Sequence, residues 1–201
     1  VLQAVFFLFV LYMKLPVVYR SAEEALSIIQ SGNRVFVQGS AQTPTCLLRE
    51  LARQAPRLND VELVVISVYG DIYVDKPEYV KSFQINSLFV SAAIREDVKE
   101  GRADYVPVFL SEIPHLFTRG ILPIDVALVQ VSPPDQHGYC SLGVSVDIAR
   151  SAVNTARYVI AQVNSNVPRT HGDGLIHSSR FYAMVECNEP LYGNNFVDKV
   201  G

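Results

Sequence analysis

No Cys-x-x-Cys pair, no basic cluster, no Gly-x-Ser-x-Gly elbow and no apolar run of bilayer length occur in these 201 residues. Each absence excludes a class of protein. The three cysteines, Cys46, Cys140 and Cys187, are an odd number; free thiols in a reducing compartment, by default the cytoplasm, fit them better than a disulfide framework. A net charge of -3 without a basic cluster argues against a nucleic-acid surface. His137 and Cys140 are close in sequence, but no second pair at ligand spacing joins them and His115, His171 and His177 are scattered, so no metal site is expected. Without the elbow, a serine hydrolase has no nucleophile turn; Cys140, in a Gly-Tyr-Cys-Ser context, matches no cysteine-protease pattern and reads as a small buried thiol. The spaced glycines of dinucleotide and P-loop fingerprints are also missing.

A spanning helix needs about 20 apolar residues, and the apolar opening, residues 1–12, ends at Lys14. It lacks the basic start and small-residue cleavage site of a secretory signal. The expectation is that Met13 is the initiator, with residues 1–13 an upstream extension, 14–190 a single domain and 191–201 the start of a linker. The alternative for the opening is an edge strand or short helix packed on the body.

What remains is a globular chain. Hydrophobic residues make up 49% and charged residues 18%, enough apolar surface for one full core. Ser21 and Glu24 have capping-box spacing before a short helix running to Gly32. RVFVQ at 34–38 reads as a strand; Gly39, Ser40, Ala41 and Gln42 form a small-residue loop; Thr43 caps a helix with Pro44 at its first position. Strands follow at 61–68, 83–90, 105–109, 124–131, 158–163 and 181–186, with helices at 92–101, 111–120 and 147–155. Strands alternating with helices imply parallel βαβ units.

The chain is organised around residues 124–147. VALVQV is nearly continuously apolar, as in a strand buried on both faces of a parallel sheet. Pro133 and Pro134 end it, Asp135 and Gly138 supply turn chemistry, and His137, Tyr139, Cys140 and Ser141 crowd one loop at its carboxyl end. In open α/β sheets this edge binds ligands. A third loop, 164–173, follows another strand and carries Arg169, whose guanidinium suits a carboxylate or phosphate, or an ion pair that fixes the loop.

Residues 132–143, SPPDQHGYCSLG, followed by Ser145, Val146 and Asp147, resemble the signature loop of the acetyl-CoA hydrolase/CoA-transferase family, which includes acetate, butyrate and 4-hydroxybutyrate CoA-transferases. VQGSAQTP at 37–44 is similar to that family's first strand-loop-helix, and Val163, Asn164, Pro168, Arg169, Thr170, Gly172 and Asp173 resemble a later loop. The resemblance implies an α/β fold, a mostly parallel sheet flanked by helices, forming one of two similar halves with the active site between them. It also implies covalent chemistry. A glutamate attacks the acyl-CoA thioester to give an acyl-glutamyl anhydride and CoA thiolate; the thiolate returns to form a glutamyl-CoA thioester, which an acceptor carboxylate attacks.

In the family that glutamate and the CoA-binding glycine loops lie in the second half, and no segment here resembles them. The expectation is therefore an amino-terminal half with no catalytic residue of its own and no permanently bound cofactor. It would contribute the acyl-side wall through Gly39, Ser40, Ala41, Gln42, Gln136, His137, Gly138, Tyr139, Ser141 and Arg169. Its partners would be acyl-CoA, a small carboxylate, the carboxy-terminal half, and further copies in a homodimer or larger oligomer, with neither nucleic acid nor membrane. The remaining alternatives are a stand-alone module binding a sugar phosphate or nucleotide, and a subunit of a two-chain transferase.

Overall fold

The computed structural model describes residues 18–91 and 94–193. The apolar opening and the end of the expected linker lie outside them. In chain order the strands are β1 Arg34–Val37, β2 Val61–Val65, β3 Phe83–Ser87, β4 Ala103–Tyr105, β5 Val126–Val131, β6 Tyr139–Ser141, β7 Tyr158–Val163, β8 Leu175–His177 and β9 Ala183–Glu186. The helices are α1 Ala22–Leu26, α2 Thr45–Arg53, α3 Arg95–Lys99, α4 Ile113–Thr118 and α5 Ala149–Thr155.

Seven strands form one sheet in the order β4-β3-β2-β1-β5-β7-β9, and every neighbouring pair is parallel. The α/β class read from the sequence holds. All six residues of β5 are buried, because alternate side chains enter two cores. Val126 and Leu128 join Val35, Val37, Leu63 and the helix residues Leu26, Leu47 and Leu51. Ala127, Val129 and Val131 join Phe36, Val64, Phe117 and Val153 on the opposite face. A strand lying between two layers of helices has no polar face to show, which is why its sequence does not alternate.

The short elements depart from expectation for local reasons. Both capping-box bonds form, Glu24 N–H to Ser21 Oγ at 3.2 Å and Ser21 N–H to Glu24 Oε2 at 3.3 Å, but α1 ends at Leu26 rather than near Gly32. Pro44 sits at the capping position of α2, outside the first turn, and makes no side-chain cap. β4 lies earlier than the expected 105–109: Ala103, Asp104 and Tyr105 pair with Ile85, Asn86 and Ser87, and Pro107 has no N–H with which to extend the ladder. The antiparallel pair β6 and β8 was not anticipated, each strand being three residues long.

From β1 the chain moves outward through β2, β3 and β4, and from β5 it moves outward in the other direction through β7 and β9. Connections leaving β1 and β5 therefore diverge, opening a crevice beyond their carboxyl ends. Gly39 makes the β1 exit possible. A Cβ there would lie 2.5 Å from the Ser67 carbonyl oxygen and 2.8 Å from Ile66 Cγ2. The carbonyl is backbone and cannot rotate away, so Gly39→Ala is expected to destabilise the fold by about 1–3 kcal/mol in urea denaturation. Wild-type stability in that variant would contradict the close approach.

Candidate functional site

At the switch between β1 and β5, the loop after β1 is tied to its neighbours by its own backbone. Ser40, at φ 55°, donates its N–H to the Ser67 carbonyl, while Gln42 N–H reaches Gly39 O at 3.2 Å and Thr43 N–H reaches Ser40 O at 3.2 Å. Thr43 Oγ1 donates to Ser40 O at 2.8 Å and accepts from Tyr69 N–H at 3.2 Å. That hydroxyl therefore braces the loop rather than capping the helix. At the start of α2, Cys46 N–H is taken by Gln162 Oε1 at 3.1 Å, so this helix end offers a ligand one donor fewer.

The loop after β5 is closed by Asp135. Its Oδ1 accepts the N–H groups of His137 (2.9 Å) and Tyr139 (2.8 Å), and its Oδ2 accepts Arg169 at 2.6 Å. Arg169 also donates to Tyr139 O at 3.0 Å, so two of its donors fix the loop. Gln136, His137 and Tyr139 stand exposed around the half-buried Gly138, and the Tyr139 ring meets His177 edge-on at 5.1 Å. Ser141 faces inward: its Oγ accepts from Gly143 N–H and Thr170 N–H, each at 3.1 Å. Burial pushes the Cys140 thiol up to about 12, leaving it protonated and inert.

The three motif loops meet at Gln42. A Cβ on Gly143, which holds φ 67°, would lie 2.5 Å from Gln42 Nε2 and 2.8 Å from Val167 Cγ1. Only a glycine lets the loop after β5 lie against that amide. Gln42 is fully buried, yet neither its oxygen nor its nitrogen has a hydrogen-bond partner within the described residues, an arrangement that costs roughly 1–3 kcal/mol.

Beneath the loops lies a set of buried amides that sequence reasoning missed. Gln38 Nε2 donates to Ser145 O (2.8 Å) and Leu142 O (3.2 Å), and its Oε1 accepts Gln130 N–H at 2.8 Å. Gln130 Oε1 accepts Gln162 Nε2 (3.0 Å) and Asn164 Nδ2 (2.9 Å). The signal was present: apolar residues followed by glutamine recur in VFVQ, ALVQ and VIAQ, the strands that lie side by side as β1, β5 and β7.

A cavity of about 280 Å³ opens at the ends of β1, β2 and β3. Ile66, Leu88, Val108 and Ile113 contribute apolar walls, with Ser40 and Asp147 also lining it. Elsewhere at this edge, Glu189 accepts from Thr45 Oγ1 at 2.5 Å and Arg49 at 2.6 Å. Burial would raise its pKa, but those donors outweigh burial and hold it below the ordinary value. Within the described residues no three His, Cys, Asp or Glu side chains come together as metal ligands.

The family model for the acetyl-CoA hydrolase/transferase N-terminal domain matches residues 14–197. The chain belongs to that family. It is 42% identical over 171 residues to a 4-hydroxybutyrate coenzyme A transferase of Clostridium kluyveri, covering 85% of this chain and 40% of that protein. A succinyl-CoA:acetate/propanoyl-CoA:succinate CoA transferase of Fasciola hepatica is 39% identical over 189 residues, covering 90% of this chain and 39% of that protein. The crystal structure of RipA from Yersinia pestis superposes with a TM-score of 0.79 at 33% identity, covering 87% of this chain and 43% of that one. A 4-hydroxybutyrate CoA-transferase from Porphyromonas gingivalis gives 0.69 at 30% identity, covering 87% and 40%. The chain thus spans about 40% of the length of the curated relatives it matches, as expected of the amino-terminal half of this acetyl-CoA hydrolase/transferase family.

The Tyr139 and His137 N–H groups, together with Arg169, hold Asp135 below the ordinary carboxylate value of 3.8. A lowered folded pKa means that ionised Asp135 stabilises its loop at pH above that value and that the contribution disappears as pH falls through the folded value. Acidification below about pH 4 is expected to lower the protection factors of the His137 and Tyr139 amides, their exchange rates measured relative to the intrinsic rate at each pH, before the sheet opens. Asp135→Asn should show the lower protection already at neutral pH. Unchanged protection in both experiments would refute the role given to Asp135.

Proposed function

We propose that this domain forms the acyl-side wall of an acyl-CoA:carboxylate CoA-transferase whose nucleophilic glutamate is delivered by the carboxy-terminal half. The observation that carries the reading is the convergence of all three motif loops on Gln42 and Gly143 at the sheet's switch point, beside an apolar cavity. A thioester needs such a place: an apolar slot for its acyl substituent and a crevice where the carbonyl meets an incoming carboxylate.

Three carboxylates at this edge are already engaged, which supports an external nucleophile. Asp135 is held by two backbone N–H groups and Arg169, Glu189 by Thr45 and Arg49, and Asp147 by Ile148 N–H. In the proposed reaction the delivered glutamate adds to the thioester carbonyl and expels CoA thiolate, leaving an acyl-glutamyl anhydride. The thiolate attacks the glutamyl carbonyl, releasing the first carboxylate and leaving a glutamyl-CoA thioester. The acceptor carboxylate attacks that thioester and expels the thiolate, which then attacks the acceptor's carbonyl in the second anhydride, releasing the glutamate and the new acyl-CoA. The residues of this half hold the acyl group and shape the crevice. Gly39, Ser40, Ala41 and Gln42 form one side, with Gln136, His137, Gly138 and Tyr139 at the exposed tip and Ser141 and Arg169 keeping that tip in place.

Apolar surface around the cavity supports a covering half. Phe89 is 59% exposed, Phe109 77% and Leu110 57%, side chains that a second domain would cover. No helix among the described residues is long and apolar enough to cross a membrane. A cytoplasmic setting, consistent with Cys46, Cys140 and Cys187 as free thiols, and self-association of the full-length enzyme belong to the same proposal.

Purified residues 1–201 should show no CoA transfer between acetyl-CoA and butyrate followed by liquid chromatography, whereas the full-length enzyme should produce butyryl-CoA. Transfer by the 201-residue chain alone would overturn the assignment of the nucleophile to the other half.

A further inference from the structure

Cys46 and Cys187 are far apart in sequence but lie against each other at the carboxyl edge of the sheet. Cys187 is the first residue beyond β9, and its N–H donates to Val163 O at 2.9 Å. Cys46 lies in the first turn of α2, where its N–H is taken by Gln162 Oε1 at 3.1 Å. Gln162 and Val185 are opposite one another in β7 and β9, and a side chain two residues beyond Val185 leaves the same face. The register therefore turns Cys187 toward the helix turn that carries Cys46. Its thiol is in hydrogen-bonding reach of both the Cys46 thiol and the Glu189 carboxylate. Glu189 is held in turn by Thr45 Oγ1 and Arg49, and its carbonyl accepts from Asn164 Nδ2 at 2.7 Å and Asn166 Nδ2 at 2.9 Å. The segment carrying Cys187 is thus fastened over α2 on both sides of the contact. Both sulfurs belong to half-buried residues, whereas Cys140 is fully buried.

We infer that Cys46 and Cys187 are a site of reversible oxidation by a peroxide, closing to a disulfide that staples the exit of β9 to the start of α2. Burial and the neighbouring Cys46 push the Cys187 thiol up to about 12. It is protonated at neutral pH, so Cys46 is the sulfur that reacts first. The Cys46 thiolate attacks one peroxide oxygen: an S–O bond forms, the O–O bond breaks, and the leaving hydroxide takes a proton to become water. The Cys187 sulfur then attacks the Cys46 sulfur. An S–S bond forms, the S–O bond breaks, and the departing hydroxide takes the Cys187 proton, giving a second water. The two sulfurs lose the two electrons that the peroxide gains, and a thiol reductant reverses the change. Cys140 takes no part, since it is enclosed in the core on the other face of the sheet. In a reducing compartment such a bond is transient and responds to oxidants. It closes a loop that spans most of the domain, and a long loop is where a cross-link restricts the unfolded chain most. The pair stands whether or not the domain handles thioesters.

The test treats the reduced full-length protein with hydrogen peroxide, blocks the remaining thiols with N-ethylmaleimide and maps the peptides by mass spectrometry. Most chains should yield the Cys46 peptide joined to the Cys187 peptide, two hydrogens lighter than the separate pair, with Cys140 recovered as its maleimide adduct. Dithiothreitol should return both thiols. In Cys187→Ser, which has no second sulfur to close the bond, the sulfenic acid of Cys46 should accumulate and be captured by dimedone. The urea midpoint should rise on oxidation of the wild type and stay where it was in Cys46→Ser and Cys187→Ser. If Cys46 and Cys187 are recovered as separate adducts or separately oxidised to sulfinic acid, with no joined peptide, the disulfide site is refuted. If the joined peptide forms and the urea midpoint does not rise, the bond is no staple and that part of the inference is overturned.

Discussion

The structure depends on one topological constraint: the sheet reverses its direction of growth between β1 and β5, and buried amides hold the two exits together there. Paired parallel strands bring their carboxyl ends to the same edge, but hydrogen bonding within the ladder ends with the strands. Gln38 continues the connection past that point, giving its oxygen to Gln130 N–H and its nitrogen to the carbonyls of Leu142 and Ser145. These groups are fully or nearly fully buried, so each would be expensive without its partner and valuable with it. The crevice is thus given a fixed shape by polar groups buried beneath it.

From that constraint follows a division of labour among the motif residues. Asp135, Arg169, Ser141 and Thr170 are occupied with one another or with the backbone, and they set the path of the loop after β5. Gly39 and Gly143 permit two close approaches that a side chain would block. Gln42 is the exception, since its amide is enclosed with no hydrogen-bond partner among the described residues. A polar group left unsatisfied at the point where three loops converge fits a site that is completed by something else.

Much of the fold was legible because its signals are local and strong. The unbroken apolar run of β5 announced a strand buried on both faces, and Ser21 with Glu24 announced the start of α1. The paired prolines 133 and 134 marked where the chain leaves the sheet. Less legible were features whose cause is nonlocal. β6 and β8 are too short to carry a period and exist because each finds the other; β4 is placed by its register against β3 and by Pro107. The cavity was invisible because Ile66, Leu88, Val108 and Ile113 each look like ordinary core residues. The glutamines of β1, β5 and β7 were readable as a repeated pattern, but only the strand order shows that they are neighbours.

The central claim is that the switch-point crevice of this domain holds the acyl end of a thioester while another half delivers the reacting carboxylate. A crystal structure of the full-length enzyme with a bound acyl-CoA tests it most directly. The account predicts the acyl group between the β1 and β5 exits, its tail toward Leu88 and Val108, and a glutamate from the other half within bonding reach of the carbonyl. An acyl group bound away from this edge, or a nucleophile contributed by residues 18–193, would contradict it.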